Sequence, residues 1–250
     1  MTWDFERKLR AAIHGPLGPM ATRADTRVIE REGWFQRITP SGASHNEVLR
    51  SAVEEADAEH VIDEVVAEYH ALGKPTKWFT GPWTRPTDFG DRLLRRGFRL
   101  SETRGMGCAT DAAIAPGDAR VHRVETDAEL DAYLQASRLA WAIDNDDLDA
   151  RRASYRATLG TLLFLFIADG VGTSAVLLRD DYGYLVGGAV TEQARGRGVY
   201  RALVAARVAF LRDRGIEYAV IHASEATSAP MLEHLGFETL FRGACYQLDP

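Results

Sequence analysis

The stretch Gln193-Ala194-Arg195-Gly196-Arg197-Gly198 decides the fold class of this chain. It stands between a strand-like run, Tyr182 to Thr191, and a helical run from Gly198 to Arg214. Glycines let the backbone approach a ligand closely, and amides at the start of a helix favour an anion. The two arginines add charged hydrogen-bond donors. The stretch therefore predicts a loop that holds a pyrophosphate.

The loop taken alone has a second interpretation, a solvated turn between strand and helix, because short glycine motifs are common. It is not a Walker loop, since no Gly-Lys-Ser/Thr follows, and it lacks the third glycine of a dinucleotide fingerprint. The helix after it is better defined. Its apolar stripe consists of Val199, Ala202, Leu203, Ala206 and Phe210, and we expect Arg201, Arg207, Arg212 and Asp213 to face water.

Strands and helices alternate on both sides of the loop. In the second half we predict strands at 120–124, 162–168, 172–179, 182–191, 218–223 and 237–248, and helices at 127–142, 147–159, 198–214 and 229–235. In the first half we predict strands within 26–38, 77–80 and 98–108, helices at 45–72 and 88–96, and, after a polar N-terminal stretch, a Gly-Pro-rich loop at residues 15–19. This mixture is typical of an α+β or α/β mixed sheet flanked by helices.

The composition excludes several protein classes. The chain has 250 residues, 46% of them hydrophobic, and 2 cysteines, which excludes disordered, collagen-like and disulfide-stapled proteins. The net charge of −6 gives no basic surface for nucleic acid or an anionic membrane. No apolar run is long enough for a membrane helix, and neither a signal peptide nor a metal-binding Cys/His spacing is present. We expect a cytoplasmic protein without a metal.

A faint internal repeat suggests two modules. Each half has a helix that ends in glycine (Gly73, Gly215), a short strand, a second short helix, and then Gly-Phe before a closing strand. A small and polar segment, Asp111 to Ala119, is the best candidate linker. We therefore place one module at residues 1–115 and the other at 116–250.

From about Arg120 to Asp249 the chain resembles the GNAT (N-acetyltransferase) superfamily. The resemblance rests on a strand, Gln-x-x-Gly-x-Gly, a long helix, a strand, a short helix and then Leu235-Gly236-Phe237. The first half resembles a degenerate copy, because no glycine loop occurs between Trp34 and His60. The expected fold is two acyl-CoA N-acyltransferase-like modules in tandem, each a mixed central sheet flanked by helices.

This resemblance implies a binding site for acetyl-CoA, as cosubstrate, between two central strands that splay apart. Backbone groups of Gly188, Ala189 and Val190 would contact the acetyl and pantetheine groups, and Ser228 would be a further contact. The pyrophosphate would lie on Gln193, Ala194, Arg195, Gly196, Arg197, Gly198, Val199 and Tyr200. The amine would attack the thioester directly, with a backbone amide stabilising the developing oxyanion.

The chain departs from the superfamily at two catalytic positions. Tyr184 stands where a glutamate often occurs, and Leu232 stands where a tyrosine often occurs. His222 is then the leading candidate for a general base, although a structural histidine in the sheet is the commoner case. Glu225 could accept the proton or attract a cationic substrate, unless it is simply an exposed carboxylate. Tyr184 could touch the acceptor, or it could be a half-buried strand residue.

These features predict an acetyl-CoA-dependent N-acetyltransferase that acts on a small-molecule amine, as a monomer or homodimer. The alternatives are a catalytically silent acyl-CoA-binding protein, or an acyltransferase that uses another acyl group or acceptor. Asp144, Asp146 and Asp147 could form an acidic rim suited to a polyamine or aminoglycoside-like substrate, or be a helix cap with solvated neighbours.

Overall fold

The computed structural model describes residues 3–42, 44–141 and 148–250. Its helices are α1 (Phe5–His14), α2 (Ala58–Ala71), α3 (Phe89–Arg95), α4 (Asp127–Trp141), α5 (Leu148–Thr158), α6 (Val199–Arg212) and α7 (Ser228–His234). Its strands are β1 (Arg27–Arg31), β2 (Trp34–Ile38), β3 (Glu47–Ser51), β4 (Thr76–Thr80), β5 (Arg99–Ala109), β6 (Val121–Arg123), β7 (Leu163–Ala168), β8 (Gly172–Leu178), β9 (Gly183–Val190), β10 (Tyr218–Ser224) and β11 (Glu238–Leu248). None of the described helices is long and apolar enough to cross a membrane.

The chain divides into two compact units that are not continuous in sequence. The loop unit comprises Met1–Thr22, Met106–His222 and Leu232–Leu240, and the second unit comprises Arg23–Gly105, Ala223–Met231 and Phe241–Pro250. The N-terminal segment therefore belongs to the unit built mainly from the second half of the chain, and the C-terminal segment belongs to the unit built mainly from the first half. The division into sequence modules at residue 115 stays a prediction, and each unit is described separately below.

The loop unit is built on a mixed sheet in which β6, β7, β8 and β9 are antiparallel neighbours and β10 is parallel to β9. Helix α6 connects β9 to β10, which is the crossover that a parallel pair requires. Helices α4 and α6 both contact β7, β8 and β9. Residues at their interface with the sheet are fully buried, including Leu130, Leu165, Val176, Leu203 and Leu211.

The second unit repeats part of this plan with its own set of strands. Strands β1, β2 and β3 are antiparallel neighbours, β3 and β4 are parallel, and β11 pairs with β4 through Ala244–Leu248. Helix α2 provides the crossover between β3 and β4. Its core is aromatic: Trp78 is fully buried, packs against Trp34 and Phe89, and donates its Nε1–H to Ser51 Oγ at 3.0 Å.

The internal repeat is visible in the backbone of four helix ends. The backbone is the same at Gly73, Gly97, Gly215 and Gly236, where the glycine has a positive φ. The glycine N–H donates to the carbonyl oxygen three residues earlier, and the N–H of the next residue donates to the carbonyl oxygen five residues before it. Left-handed glycines end helices in this way because they carry no Cβ to clash. The order of helix, strand, short helix and Gly-Phe is the same in both halves, as the sequence predicts.

The prediction of one helix over residues 45–72 was wrong in its first part. Residues Glu47–Ser51 form β3, which pairs with β2 on one side and β4 on the other, and α2 begins at Ala58. The helical spacing of Val48, Ala52 and Ala56 is therefore coincidental. Pairing with two neighbouring strands decided the structure here, not local periodicity.

The loop predicted at residues 15–19 is present, but no element is predicted before it, where the structure has helix α1. Asp4 caps this helix by accepting a hydrogen bond from Arg7 N at 2.8 Å. The helix is held within the loop unit by the Arg7–Asp181 and Lys8–Glu238 ion pairs, each 2.7 Å long. Trp3 adds a stacking contact with Tyr218. The Asp4-x-x-Arg7 cap is a signal in the sequence that could have indicated the start of this helix.

The candidate linker at residues 111–119 does not separate the two units, because it lies inside the loop unit. Part of it packs on the start of α6: a Cβ on Gly117 would lie 2.7 Å from the carbonyl oxygen of Gly198 and 3.1 Å from Ala202 Cβ. A segment in such close contact does not act as a free connection.

Replacing the helix-ending glycines should cost stability through the backbone alone, because a Cβ at Gly97 or Gly236 would meet no atom within 4 Å. We expect Gly97→Ala and Gly236→Ala each to lower the free energy of unfolding by about 1–2 kcal/mol. Asn at either position should cost less, since asparagine tolerates the left-handed conformation better. Urea unfolding followed by circular dichroism measures both, and an alanine variant as stable as the unchanged protein would contradict this account.

Candidate functional site

Strands β9 and β10 separate within the loop unit. Their parallel pairing joins Gly183, Tyr184 and Leu185 to Ala219, Val220 and Ile221. Strand β9 then continues to Val190 and β10 to Ser224 without further pairing between these described residues. The unpaired part of β9 is half-buried or exposed, whereas Gly183–Leu185 is buried. The second half of β9 therefore offers backbone groups to a ligand.

A β-bulge lies in the part of β9 that pairs with β8 but not with β10. The register with β8 shifts so that Gly187 and Gly188 both stand opposite Ser174, between the pairs Ala175–Val186 and Thr173–Ala189. Gly187 has a φ of +64°, which an L side chain rarely adopts. A bulge interrupts the hydrogen-bond ladder and redirects the backbone. It places the predicted acyl-contacting residues Gly188, Ala189 and Val190 on irregular and partly exposed backbone.

The glycine loop follows directly at the end of β9. A short 3-10 turn spans Glu192–Ala194, and residues Arg195, Gly196 and Arg197 are exposed. Helix α6 begins at Val199, so the amides of its first turn lack acceptors within the helix. Gly196 has a φ of +75°, and a Cβ there would meet nothing within 4 Å. Exposed arginines, an open glycine and a free helix start suit a pyrophosphate.

A buried arginine lies beneath the bulge. Arg207 has 0% of its surface exposed, and it donates from Nε to Leu203 O at 3.1 Å and from Nη1 to Ala175 O at 3.4 Å. Its Nη2 has no hydrogen bond of good geometry in the described part of the chain, and the Tyr200 side chain makes a weaker hydrogen-bond contact with the guanidinium. A Cβ on Gly188 would lie 3.6 Å from this nitrogen and 3.0 Å from Cε2 of Tyr200. The guanidinium and the Tyr200 ring therefore pack directly under Gly188.

The prediction that Arg207 faces water was wrong. The residue continues the row Val199–Leu203–Arg207, whose members lie four residues apart on the face that contacts the sheet. This spacing was a usable signal in the sequence. Burial lowers the pKa of the Arg207 guanidinium, while the neighbouring Tyr200 and Tyr133 side chains act in the opposite direction.

His222 lies on β10 but is covered by the N-terminal helix. Its Nε2 is 2.9 Å from the carbonyl oxygen of Ala12, which can only accept a hydrogen bond, so Nε2 carries a proton. Burial lowers the pKa of the imidazole. Tyr184 contacts the same ring edge-on, at 5.9 Å between ring centroids, and is itself buried. The catalytic roles of His222 and Tyr184 stay predictions, and the geometry shows both as packing residues under α1.

Glu225 and Ser228 belong to the second unit. Arg104 Nε contacts Glu225 Oε2 at 2.6 Å, and Arg242 Nη1 contacts the same oxygen at 2.8 Å. The hydrogen bond and charge of Arg104, with the charge of Arg242, lower the pKa of the Glu225 carboxyl. A carboxylate held in this way is a poor proton acceptor. Ser228 Oγ accepts a hydrogen bond from Ser224 N at 3.0 Å, so its hydroxyl supports the loop before α7.

The predicted acidic rim of Asp144, Asp146 and Asp147 lies outside the described residues. The described residues hold no cluster of three or more His, Cys, Asp or Glu side chains that could bind a metal ion. Leu139 and Trp141, at the end of α4, are 60% and 52% exposed. They leave an apolar surface next to the undescribed segment.

Residues 168–246 match the sequence model of the FR47-like protein family, and this match includes β8, the bulge, the glycine loop and β10. Among solved structures, the GCN5-related N-acetyltransferase (GNAT) from Kribbella flavida superposes with a TM-score of 0.69 at 14% identity, over 97% of this chain and 95% of that one. The chain has the GNAT fold. The prediction of a mixed sheet flanked by helices is thereby confirmed.

Two further GNAT structures have the same fold. A GCN5-related N-acetyltransferase from Sphaerobacter thermophilus has a TM-score of 0.61 at 14% identity and covers 90% of this chain and 76% of its own. A tandem GNAT protein from the clavulanic acid biosynthesis pathway has a TM-score of 0.55 at 13% identity and covers 98% and 94%. The tandem arrangement predicted for this chain is consistent with that structure. No curated protein sequence matches the chain.

His222 should remain neutral at pH 7 because its folded-state pKa is lowered by burial. The unfolded chain then binds the proton more readily, so this residue's contribution to stability is present above about pH 6.5 and is lost as the pH falls through the folded-state pKa. We expect the imidazole signal, assigned by NMR with a His222→Gln variant, to titrate below pH 6.5.

The same variant gives the control, because its amide can still donate to Ala12 O but does not titrate. Its free energy of unfolding should fall less between pH 7.5 and 5.5 than that of the unchanged protein. An imidazole that titrates at or above pH 6.5 would contradict this expectation and support the prediction that His222 is a general base at neutral pH.

Proposed function

We propose that the loop unit binds acetyl-CoA and transfers its acetyl group to the amine of a small molecule. The observation that carries this proposal is the continuous path formed by the bulge at Gly187 and Gly188, the glycine loop and the open first turn of α6. All three lie in one compact unit of one chain. The site therefore needs no second chain, which suits a monomer or homodimer.

The loop would hold the pyrophosphate of acetyl-CoA. The first-turn amides of Val199, Tyr200 and Arg201 lie at the positive end of the α6 dipole, which favours anionic groups. Arg195 and Arg197 are exposed beside them and can add charge-assisted hydrogen bonds. Gly196 adds no side chain that would block the approach of the phosphates.

The bulge would orient the acetyl group. Gly188, Ala189 and Val190 present backbone amides and carbonyls that are half-buried at the point where β9 leaves β10. In the proposed reaction the amine nitrogen bonds to the thioester carbon and the carbon–sulfur bond breaks. The sulfur keeps the electron pair as a thiolate, and the amine proton passes to water. A backbone N–H of the bulge would stabilise the charge that develops on the carbonyl oxygen.

The second unit is not proposed to bind acetyl-CoA. Its segment between β3 and α2 corresponds in the repeat to the glycine loop, yet it contains no glycine and carries Glu54, Glu55 and Asp57. Glu59 adds another carboxylate in the first turn of α2. Glu55 and Glu59 pair with arginines of α3, so this segment holds cationic side chains where Arg195 and Arg197 of the loop unit are exposed to attract a pyrophosphate.

A second candidate function is acyl-CoA binding without catalysis. It is favoured by the surroundings of the two predicted bases. Nε2 of His222 is hydrogen-bonded to the carbonyl oxygen of Ala12, and the Glu225 carboxylate is ion-paired with two arginines. In the acetyltransferase proposal the amine instead loses its proton to water, so turnover should rise toward alkaline pH.

Gly196→Asp should lower the affinity for acetyl-CoA at least tenfold, because it places a negative charge beside the pyrophosphate. Gly196→Asn is the matched control: it has nearly the same size and tolerates the positive φ, but it is neutral. Isothermal titration calorimetry measures both affinities. Equal affinities for the Asp and Asn variants would count against phosphate binding at this loop.

Acetylated amines should appear when the protein is incubated with acetyl-CoA and a library of small amines, polyamines and aminoglycosides included. We expect the rate to increase between pH 7 and 9.5, as more of each amine becomes neutral. Mass spectrometry detects the products, with Gly196→Asp as the negative control. Tight binding of acetyl-CoA with no product at any pH would favour the non-catalytic alternative.

A further inference from the structure

Arg207 is a buried cation that no carboxylate balances in the described part of the chain. It is fully buried, its hydrogen bonds of good geometry go to two backbone carbonyls, and the Tyr200 hydroxyl adds a weaker contact. The titratable groups that act on it are the hydroxyls of Tyr200, on its own helix, and Tyr133, on α4. Burial raises the pKa of Tyr133, so this group is uncharged at neutral pH. Buried charges in proteins are normally paired.

The position of this charge points to the site proposed above. Its Nη2 lies 3.6 Å from where a Cβ on Gly188 would stand, and Nη1 donates to Ala175, which pairs with Val186 next to the bulge. The guanidinium is therefore directly under the backbone that would carry the thioester. Two other ionisable groups lie near this part of β9: Arg195, whose Nε is 3.5 Å from Val190 O, and His222 on β10, whose pKa is lowered by burial.

We propose that Arg207 acts through the bulge to stabilise the thiolate that leaves when the carbon–sulfur bond breaks, without touching the substrate. This inference rests on the proposed binding of acetyl-CoA to the loop unit. When the carbon–sulfur bond breaks, the sulfur takes both electrons, and a fixed positive charge nearby lowers the energy of that anion. Leu232, which is fully buried and apolar, cannot donate a proton to the sulfur, so charge stabilisation takes the place of an acid.

The test uses coenzyme A itself and needs no acceptor. A free thiol has a pKa near 8.5, and a bound thiol next to a cation should have a lower one. Thermodynamic linkage then makes coenzyme A bind more tightly at pH 9.5 than at pH 6.5, by up to about tenfold for each unit of the shift. Desulfo-coenzyme A lacks the sulfur and corrects for every other titrating group. The measured quantity is the pH 9.5 to pH 6.5 affinity ratio of coenzyme A, divided by that of the desulfo compound.

We expect this corrected ratio to be at least ten in the unchanged protein and close to one in Arg207→Met. Arg207→Gln should behave like Met, although its amide can still donate to Ala175 O, and Arg207→Lys should keep most of the effect. Arg212→Met is the matched control, because Arg212 lies on the same helix, is half exposed and pairs with Asp213. It should keep the full ratio.

Each outcome decides the inference. A ratio in Arg207→Gln equal to that of the unchanged protein would overturn the charge effect and leave Arg207 as a packing residue. A ratio close to one in the unchanged protein would also overturn it. Failure of the unchanged protein to bind either compound would instead remove the proposed function, and this inference with it. Because Gln keeps a donor at this position, the test does not depend on the Met variant folding.

Discussion

The short pairing between β9 and β10 is the constraint on which the rest of the loop unit depends. Three residue pairs hold the strands together, and the bulge at Gly187 and Gly188 then turns β9 away. Had the pairing continued, the backbone groups of Gly188–Val190 would be used within the sheet. Helix α6 starts just beyond the end of β9, so the same separation places the positive end of its dipole beside the opening. One interruption in the hydrogen bonding thus creates both halves of the site.

A comparison of the two halves of the chain distinguishes features that the fold requires, which both halves have, from features that the proposed site requires, which only the second half has. Glycine helix ends with the same hydrogen bonds occur in both, at Gly97 and Gly236 for example, because they determine where a helix stops and the next strand begins. The segment before the crossover helix differs: it is glycine-rich and basic before α6, and acidic before α2. A crossover tolerates either composition. Binding of a pyrophosphate would require the glycine-rich and basic composition. This segment, rather than the sheet, therefore distinguishes the two halves.

Sequence patterns predicted the elements after residue 119 well, because each is a complete strand or helix with a clear period. They failed at β3, where two neighbouring strands override a helical spacing, and at α1, for which no helix is predicted. The glycine loop between β9 and α6 could be located from the sequence because its glycines and arginines are adjacent in the chain, and its binding of phosphate stays a prediction. The surroundings of His222 could not, since the carbonyl that occupies its Nε2 belongs to Ala12, 210 residues away in sequence. A pattern of neighbouring residues cannot predict a contact between residues so far apart in sequence.

The burial of Arg207 is the least expected property of the fold from the standpoint of stability. Replacing a buried charged group with an apolar one of similar volume is often neutral, or stabilising by about 1–4 kcal/mol, because desolvation of the charge is expensive. Val199 and Leu203 occupy the preceding positions of the same row, so a methionine at 207 would suit the packing of α6 on the sheet. The hydrogen bond to Ala175 O needs a donor, not a charge. The charge itself is therefore unexplained by the fold, and its place beneath Gly188 is the observation on which its proposed role at the bulge rests.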